Sequence, residues 1–201
     1  MRFTAFARAH VLAAILTIGT LPAATTALAE PQVLDKSHTT VRFEVSHLGY
    51  STTHGVFREV DAEISFDPEA VEETQVSFTI QTASVDTFWA ARDDHLRKAD
   101  FFNVAEFPTI TFTSTAVTPT GSDTATVEGD LTMLGITKPV TFEAKLNKIA
   151  PSPFNPNKVV AGFTVTGEID RTEFGMGYGA PAISAVIPFQ VDLEMSPAQG
   201  S

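Results

Sequence analysis

His38, His47, His54 and His95 are the residues of this chain best suited to acid–base or metal chemistry. His47 and His54 flank a hairpin signal at Leu48-Gly49-Tyr50, so two strands could bring their rings together as metal ligands. Zinc wants a third and usually a fourth ligand at suitable spacing, and neither H-E-x-x-H nor a comparable motif is present. Hydrogen-bonded structural histidines are the plainer expectation, and no metal is assigned. Asp35, Ser37 and His38 supply the residue types of a hydrolytic triad. They sit at a strand start, where successive side chains point to opposite faces, and the chain has no G-x-S-x-G elbow. No catalytic residue is assigned. Gly175-Met176-Gly177-Tyr178-Gly179 lacks the lysine and following helix of a phosphate cradle. It reads as a flexible loop, which could also gate an opening. The densest polar cluster is Arg92, Asp93, Asp94, His95 and Arg97. It is either a solvated helix face with weak internal ion pairs, or a polar rim orienting a headgroup at the opening of an apolar cavity.

The elements that must position these groups are almost all strands. Hydrophobic residues alternate with polar ones at Val41–His47, Val60–Phe66, Val76–Ile80 and Ile110–Ala116. The same period continues through Val127–Met133, Val140–Leu146, Val159–Ile169 and Ile187–Leu193. A period of two with one apolar face is the pattern of antiparallel sheet. Phe57 is out of phase with Val60–Phe66, which calls for a bulge near Arg58 or Glu59. One helix is expected, from about Phe88 to Phe102, after the third strand, with Thr87 as N-cap and an Asp93–Arg97 pair. The fold class is all-β, and the strands close into a barrel or stack as a sandwich. Inward positions include Phe43, Val45, Phe78, Ile80, Phe112, Leu131, Phe142, Phe163 and Phe189, mixed with the small residues Ser114, Ala116, Gly129, Ala144, Ala161 and Gly167. Large against small fills a tapering interior, or else leaves an elongated apolar cavity.

Composition bounds the function. The 201 residues contain 13 basic and 24 acidic side chains, a net charge of −11, so a polyanion such as nucleic acid is repelled. The absence of cysteine removes disulfides, thiolate metal sites and a thiol nucleophile. Arg2 and Arg8, the apolar run Val11–Leu21 and Ala27-Leu28-Ala29 form the n-region, h-region and cleavage site of a signal peptide. Residues 1–29 are therefore expected to be removed on export to a periplasm, leaving 30–201 as one domain with no membrane-spanning segment.

Ser84-Val85-Asp86-Thr87 followed by Arg92-Asp93-Asp94-His95-Leu96-Arg97-Lys98-Ala99-Asp100-Phe101-Phe102 resembles the signature of the YceI-like polyisoprenoid-binding family. His47-Leu48-Gly49, Gly129-Asp130-Leu131-Thr132, Gly135-Ile136-Thr137-Lys138-Pro139 and Arg171-Thr172-Glu173-Phe174-Gly175 are similar to that family's pattern as well, so the likeness spans residues 33–195. The resemblance implies an eight-stranded, lipocalin-like barrel in the periplasm. It would carry a polyisoprenoid, an isoprenoid quinone or a related lipid in a tunnel lined by the nine inward residues named first, with Arg92, Asp93, His95 and Arg97 at the rim. It implies no catalytic residue and no cofactor, and a homodimer is compatible with it. The alternative is a lipid-acting enzyme using His95, Asp93 or a His47/His54 metal site at the mouth. A filled barrel acting through its surface is a third reading.

Overall fold

The computed structural model describes residues 29–198, so the leader lies outside the described residues except for Ala29. The strands are β1 (Glu30–His47), β2 (Ser51–Phe57), β3 (Val60–Phe66), β4 (Gln75–Gln81) and β5 (Val85–Asp86), then, after helix α1 (Ala90–Leu96), β6 (Thr109–Pro119), β7 (Thr124–Met133), β8 (Ile136–Ser152), β9 (Asn155–Asp170) and β10 (Val186–Pro197). All pairings are antiparallel, and β10 closes onto β1. β2 and β3 act as one bent stave, pairing successively with the two halves of β1, so the closed barrel has eight staves. The phase break expected near Arg58 and Glu59 is where β2 gives way to β3. The backbone groups freed there bond to the following segment, Arg58 N–H to the Ser84 carbonyl at 3.2 Å and Gln81 N–H to the Glu59 carbonyl at 2.9 Å. Among the described residues no helix is long and apolar enough to cross a membrane.

Bulges on β6 and at the β1–β10 seam reset the alternation. On β6, Ser114 faces Gly129 but Ala116 faces Glu128, so Thr115 is extra. Beyond it the phase flips: Ala116 is exposed and Val117 buried, the reverse of strict alternation. At the seam, the stretch from Asp35 to Thr40 on β1 faces only the step from Glu194 to Asp192 on β10. The surplus residues loop outward, and Thr39 Oγ1 closes the loop on the Asp35 carbonyl at 2.7 Å.

The small inward residues seat aromatic rings. A Cβ on Gly55 would overlap the Phe43 ring. One on Gly129 would overlap both the Phe112 ring and the Thr113 carbonyl. One on Gly167 would lie 2.6 Å from Phe142 and 2.9 Å from Phe189. Neighbouring rings then touch each other, Phe112 with Phe142 at 5.3 Å and Phe142 with Phe189 at 4.8 Å between centroids, distances at which edge and offset contacts are favourable.

The single helix is shorter than expected. Phe88 has a positive φ of 65° and Trp89 is extended, so α1 starts only at Ala90 and its N-cap offers no side-chain bond. Its other end comes before Phe101 and Phe102, which are both buried. Adjacent residues of a helix point about 100° apart, so burying both on one side requires the chain to leave the helix. Thr87 is not the cap. Its N–H and its hydroxyl both donate to Asp93 Oδ1. Asp93 is thus turned inward, 6% exposed, and the expected Asp93–Arg97 pair does not form. Arg97 pairs with Asp94 at 3.1 Å and donates to the Ala83 and Val85 carbonyls at 2.9 Å each, tying α1 to the segment before it.

Two outcomes test these contacts by urea unfolding. Gly129→Ala should destabilise by at least the ~1–3 kcal/mol typical of overpacking, whereas Gly162→Ala, whose nearest neighbour would be 3.9 Å away, should stay within about 0.5 kcal/mol of wild type. Asp93→Ala should cost roughly 2–4 kcal/mol, because two charge-assisted bonds vanish and Thr87 is left buried with unmet donors. Asp94→Ala, removing only an exposed ion pair, should cost less than about 1 kcal/mol.

Candidate functional site

Within the barrel lies one long cavity of about 670 Å³. That volume falls in the range of pockets that enclose drug-sized ligands. The nine inward residues, Phe43, Val45, Phe78, Ile80, Phe112, Leu131, Phe142, Phe163 and Phe189, all border it. They divide into two sets. Phe112, Leu131 and Phe142 are buried among their neighbours, whereas Phe43, Val45, Phe78, Ile80, Phe163 and Phe189 are half-buried, their free surface turned to the cavity.

The antiparallel order fixes which residues meet at each end. The β1–β2 turn, the segment between β4 and β6 that holds α1, the tight Leu134-Gly135 turn and the β9–β10 connection share one end. There the cavity is bordered by His47, Ser51, Trp89, Arg92, His95, Tyr178 and Ile183. At the other end it stops among Val71, Thr74, Val117, Ala125 and Met195. Thr74 Oγ1 is buried there without a hydrogen-bond partner. We call the first end the mouth.

The rim candidates do not act as a set. Arg92 and His95 border the cavity, while Asp93 and Arg97 do not. Arg92 is held by Thr87 alone, Nε on the hydroxyl at 2.7 Å and Nη2 on the carbonyl at 2.6 Å, with its guanidinium 5.6 Å from the Trp89 ring centre. His95 Nε2 lies 3.0 Å from Asp100. Its ring meets Phe101 edge-on at 5.0 Å and Tyr178 at 5.4 Å. The β1–β2 register separates the two hairpin histidines: His47 faces the cavity, but His54 lies opposite Glu44 on the outer face, its Nδ1 3.5 Å from that carboxylate. They cannot share a metal.

The glycine-rich loop is tied down rather than loose. Arg171, buried at its base, donates to the carbonyls of Met176 at 2.6 Å and of Ile183 and Ser184 at 2.9 Å. Burial pulls its guanidinium below the ordinary value, but arginine remains charged. Asp170 accepts from the Thr172 hydroxyl and N–H, and these bonds hold its carboxyl below the usual range. Gly175 and Gly179 take the positive φ angles, 85° and 71°, that swing Tyr178 over His95 and Phe101. Arg171, Trp89 and Tyr178 were not singled out from the sequence as cavity residues. The usable signal for Arg171 was an arginine directly after a strand and before a glycine run, in a chain short of basic residues.

Asp35, Ser37 and His38 do come together, contrary to the alternation argument, because the seam bulge folds them back. Ser37 Oγ donates to Asp35 Oδ1 at 2.6 Å, and His38 Nδ1 lies 3.0 Å from Asp35 Oδ2. Nδ1 also faces Ser37 Oγ at 3.2 Å, so one ring nitrogen meets both partners and no proton can pass through the ring as in a hydrolytic triad. The hydroxyl bond from Ser37, then that from His38, holds the Asp35 carboxyl far below its usual range, while Asp35 raises the His38 pKa. Among the described residues, Asp35, His38 and Glu194 form the one set of three metal-competent side chains with ligand atoms within 4.8 Å, on the outer wall and away from the cavity.

Comparison with known proteins places this architecture. A UPF0312 protein of Pseudomonas putida is 39% identical over 184 residues, covering 90% of this chain and 94% of the relative. One from Azotobacter vinelandii is 41% identical over 167 residues, covering 82% and 86%. The crystal structure of the Campylobacter jejuni YceI protein superposes with a TM-score of 0.70 at 29% identity, covering 76% of this chain and 90% of that one. Two more distant structures share the fold. Burkholderia cenocepacia BcnA has a TM-score of 0.73 at 23% identity, covering 80% and 98%. A polyisoprenoid-binding domain from Saccharophagus degradans has a TM-score of 0.65 at 15% identity, covering 84% and 99%. The family model for the YceI-like domain matches residues 32–196, from the first strand of the barrel to the last, and the chain belongs to that family.

Proposed function

We propose that this protein is an exported carrier that holds the tail of an isoprenoid or similarly long lipid in its barrel, with the headgroup at the mouth. The observation that carries the reading is the cavity: about 670 Å³, reaching from the mouth towards the opposite end of the barrel, and walled mostly by Phe, Val, Ile, Leu and Met. The polyisoprenoid binding for which the Saccharophagus degradans domain is named agrees with it. Export agrees with the Arg2/Arg8, Val11–Leu21 and Ala27-Leu28-Ala29 pattern.

Magnitudes say what kind of tail suits the site. Burying one CH₂ yields ~0.8 kcal/mol, so a five-carbon isoprene unit yields roughly 4 kcal/mol gross. Association and ordering cost about 4–15 kcal/mol, so one unit barely offsets them and several are needed for stable occupancy. Phenylalanine suits such a wall because it offers apolar area without a hydroxyl to satisfy, and the chain has 16 Phe against two Tyr. A lipid-acting enzyme is the weaker reading. His95 faces a carboxylate and two aromatic rings rather than a nucleophile, Asp93 is spent beneath Thr87, and none of the relatives reported above bears an enzymatic name.

Organic extraction of natively purified protein followed by mass spectrometry should recover a long-chain isoprenoid or related lipid near one equivalent. Its removal should lower the melting temperature, and adding a polyprenyl lipid should restore it. A stripped protein that keeps its stability and rejects polyprenyl lipids would sink the carrier reading. Within the wall, Phe78→Ala should destabilise the stripped protein by less than the ~3–5 kcal/mol usual for a filled core, while speeding release of a bound polyprenyl probe. Phe142→Ala, at a buried position touching two other rings, should reach that full range. Equal losses at the two positions would mean that Phe78 packs as ordinary core.

A further inference from the structure

We infer that the mouth selects lipids whose headgroup is an oxyanion, a carboxylate or a phosphate ester, over those with a neutral headgroup. The inference rests on the carrier reading above and names the ligand class for the same site. It starts from a contrast of composition. The chain has 24 acidic and 13 basic residues, yet no Asp or Glu borders the cavity. The charged or chargeable side chains that do border it are Arg92, Arg171, His47 and His95, all at the mouth.

Several acids of this end are already paired, one of them with the mouth residue His95. Asp86 pairs with Arg58 at 2.6 Å, Asp94 with Arg97 at 3.1 Å and Asp100 with His95 at 3.0 Å. Asp93 lies beneath Thr87, where it accepts the hydroxyl whose oxygen in turn accepts from Arg92 Nε. Its charge partly offsets that of Arg92, but its bonding orients Thr87 and so aims the guanidinium. Among the described residues no carboxylate lies within ion-pair distance of Arg92 or Arg171.

The two arginines differ in what they can offer. Arg171 spends Nε, Nη1 and Nη2 on three backbone carbonyls, so it contributes field rather than a contact. Arg92 spends Nε and one Nη2 bond on Thr87 and rests against Trp89, which leaves Nη1 without a protein acceptor. A fixed, planar donor with an open edge, at the end of the cavity that Tyr178, Ser51 and His47 also border, suits an oxyanion bound by charge-assisted bonds. A low-dielectric apolar cavity behind it strengthens the attraction, and no carboxylate borders that cavity to oppose it.

Farnesyl phosphate and farnesol share one tail and differ only in the headgroup, and Trp89, the sole tryptophan, reports from the mouth by its fluorescence. Titrated into the stripped full-length mature protein, farnesyl phosphate should bind about tenfold or more tighter than farnesol, the loss expected when one charge-assisted bond is removed. Arg92→Gln should erase the difference, and Arg92→Lys, which keeps charge without the fork, should retain part of it. The melting temperature of each stripped variant checks that it is folded, and the wild-type comparison stands without any variant. Equal binding of the two lipids would overturn the headgroup inference and leave the carrier reading intact. Binding of neither would overturn the carrier reading itself. Inorganic phosphate binding as tightly as farnesyl phosphate would show a site for a free anion and overturn the lipid headgroup as its source.

Discussion

The interior of this barrel depends on where its phenylalanine rings lie. An eight-stranded barrel is about wide enough for inward side chains to fill it, so a cavity requires a reason. Here the reason is that rings lean onto the wall. Phe43 lies over Gly55 on the adjacent strand, Phe112 over Gly129, and Phe142 and Phe189 over Gly167. Glycine has no side chain to hold the ring off the sheet, so the aromatic atoms cover the backbone instead of crossing the axis. The rings seal the sheet and touch one another, Phe142 and Phe189 edge to face and Phe112 and Phe142 tilted, and the centre stays open. Sheet stability and cavity shape are thus set by one contact type.

The mouth depends on a different economy, that of hydrogen bonds. The segment between β4 and β6 has only a seven-residue helix, too short to be stable on its own. It is held by side chains reaching backbone: Asp93 to the Thr87 N–H, Arg97 to two carbonyls, Thr82 Oγ1 to the Phe107 carbonyl at 2.9 Å. Buried polar groups that are fully partnered specify one geometry, because every alternative leaves a donor or acceptor unmet. The same logic holds the β9–β10 connection, where Arg171 gathers three carbonyls. Two of the four connections at the mouth are therefore pinned by a buried charged residue, Asp93 in one and Arg171 in the other.

This division explains what could be read in the sequence. Alternation at period two depends only on the pleat, so the staves and the nine inward residues were legible residue by residue. Bulges add a residue without changing the local composition, and Ala116 was placed inward for that reason although Thr115 shifts the phase and brings Val117 in. The Asp35–His38 fold-back was missed for the same cause, since a bulge suspends the opposite-face rule on which the argument relied. The mouth was legible as a cluster but not in its roles. Spacing shows that Asp93 precedes Arg97 by one helical turn. It cannot show that Phe88 takes a positive φ, that the helix starts late, and that Asp93 consequently points at Thr87.

On the proposed carrier reading the protein must also let its ligand go, and the structure separates the two demands. Tail burial scales with length and is indifferent to pattern, so the wall can be built from any residues that stay apolar and leave the axis free. On that reading release and selectivity fall to the polar groups at the mouth, Arg92, His95 and Tyr178, none of which lies in a strand ladder. Asp93 and Arg171 stand between these roles: Asp93 does not border the cavity, and Arg171, which does, spends its donors on backbone carbonyls, yet the two fix the segments that carry Arg92 and Tyr178. Change can accumulate at the mouth surface without loss of the barrel, while the buried charges behind it are constrained by the partners they would leave unsatisfied.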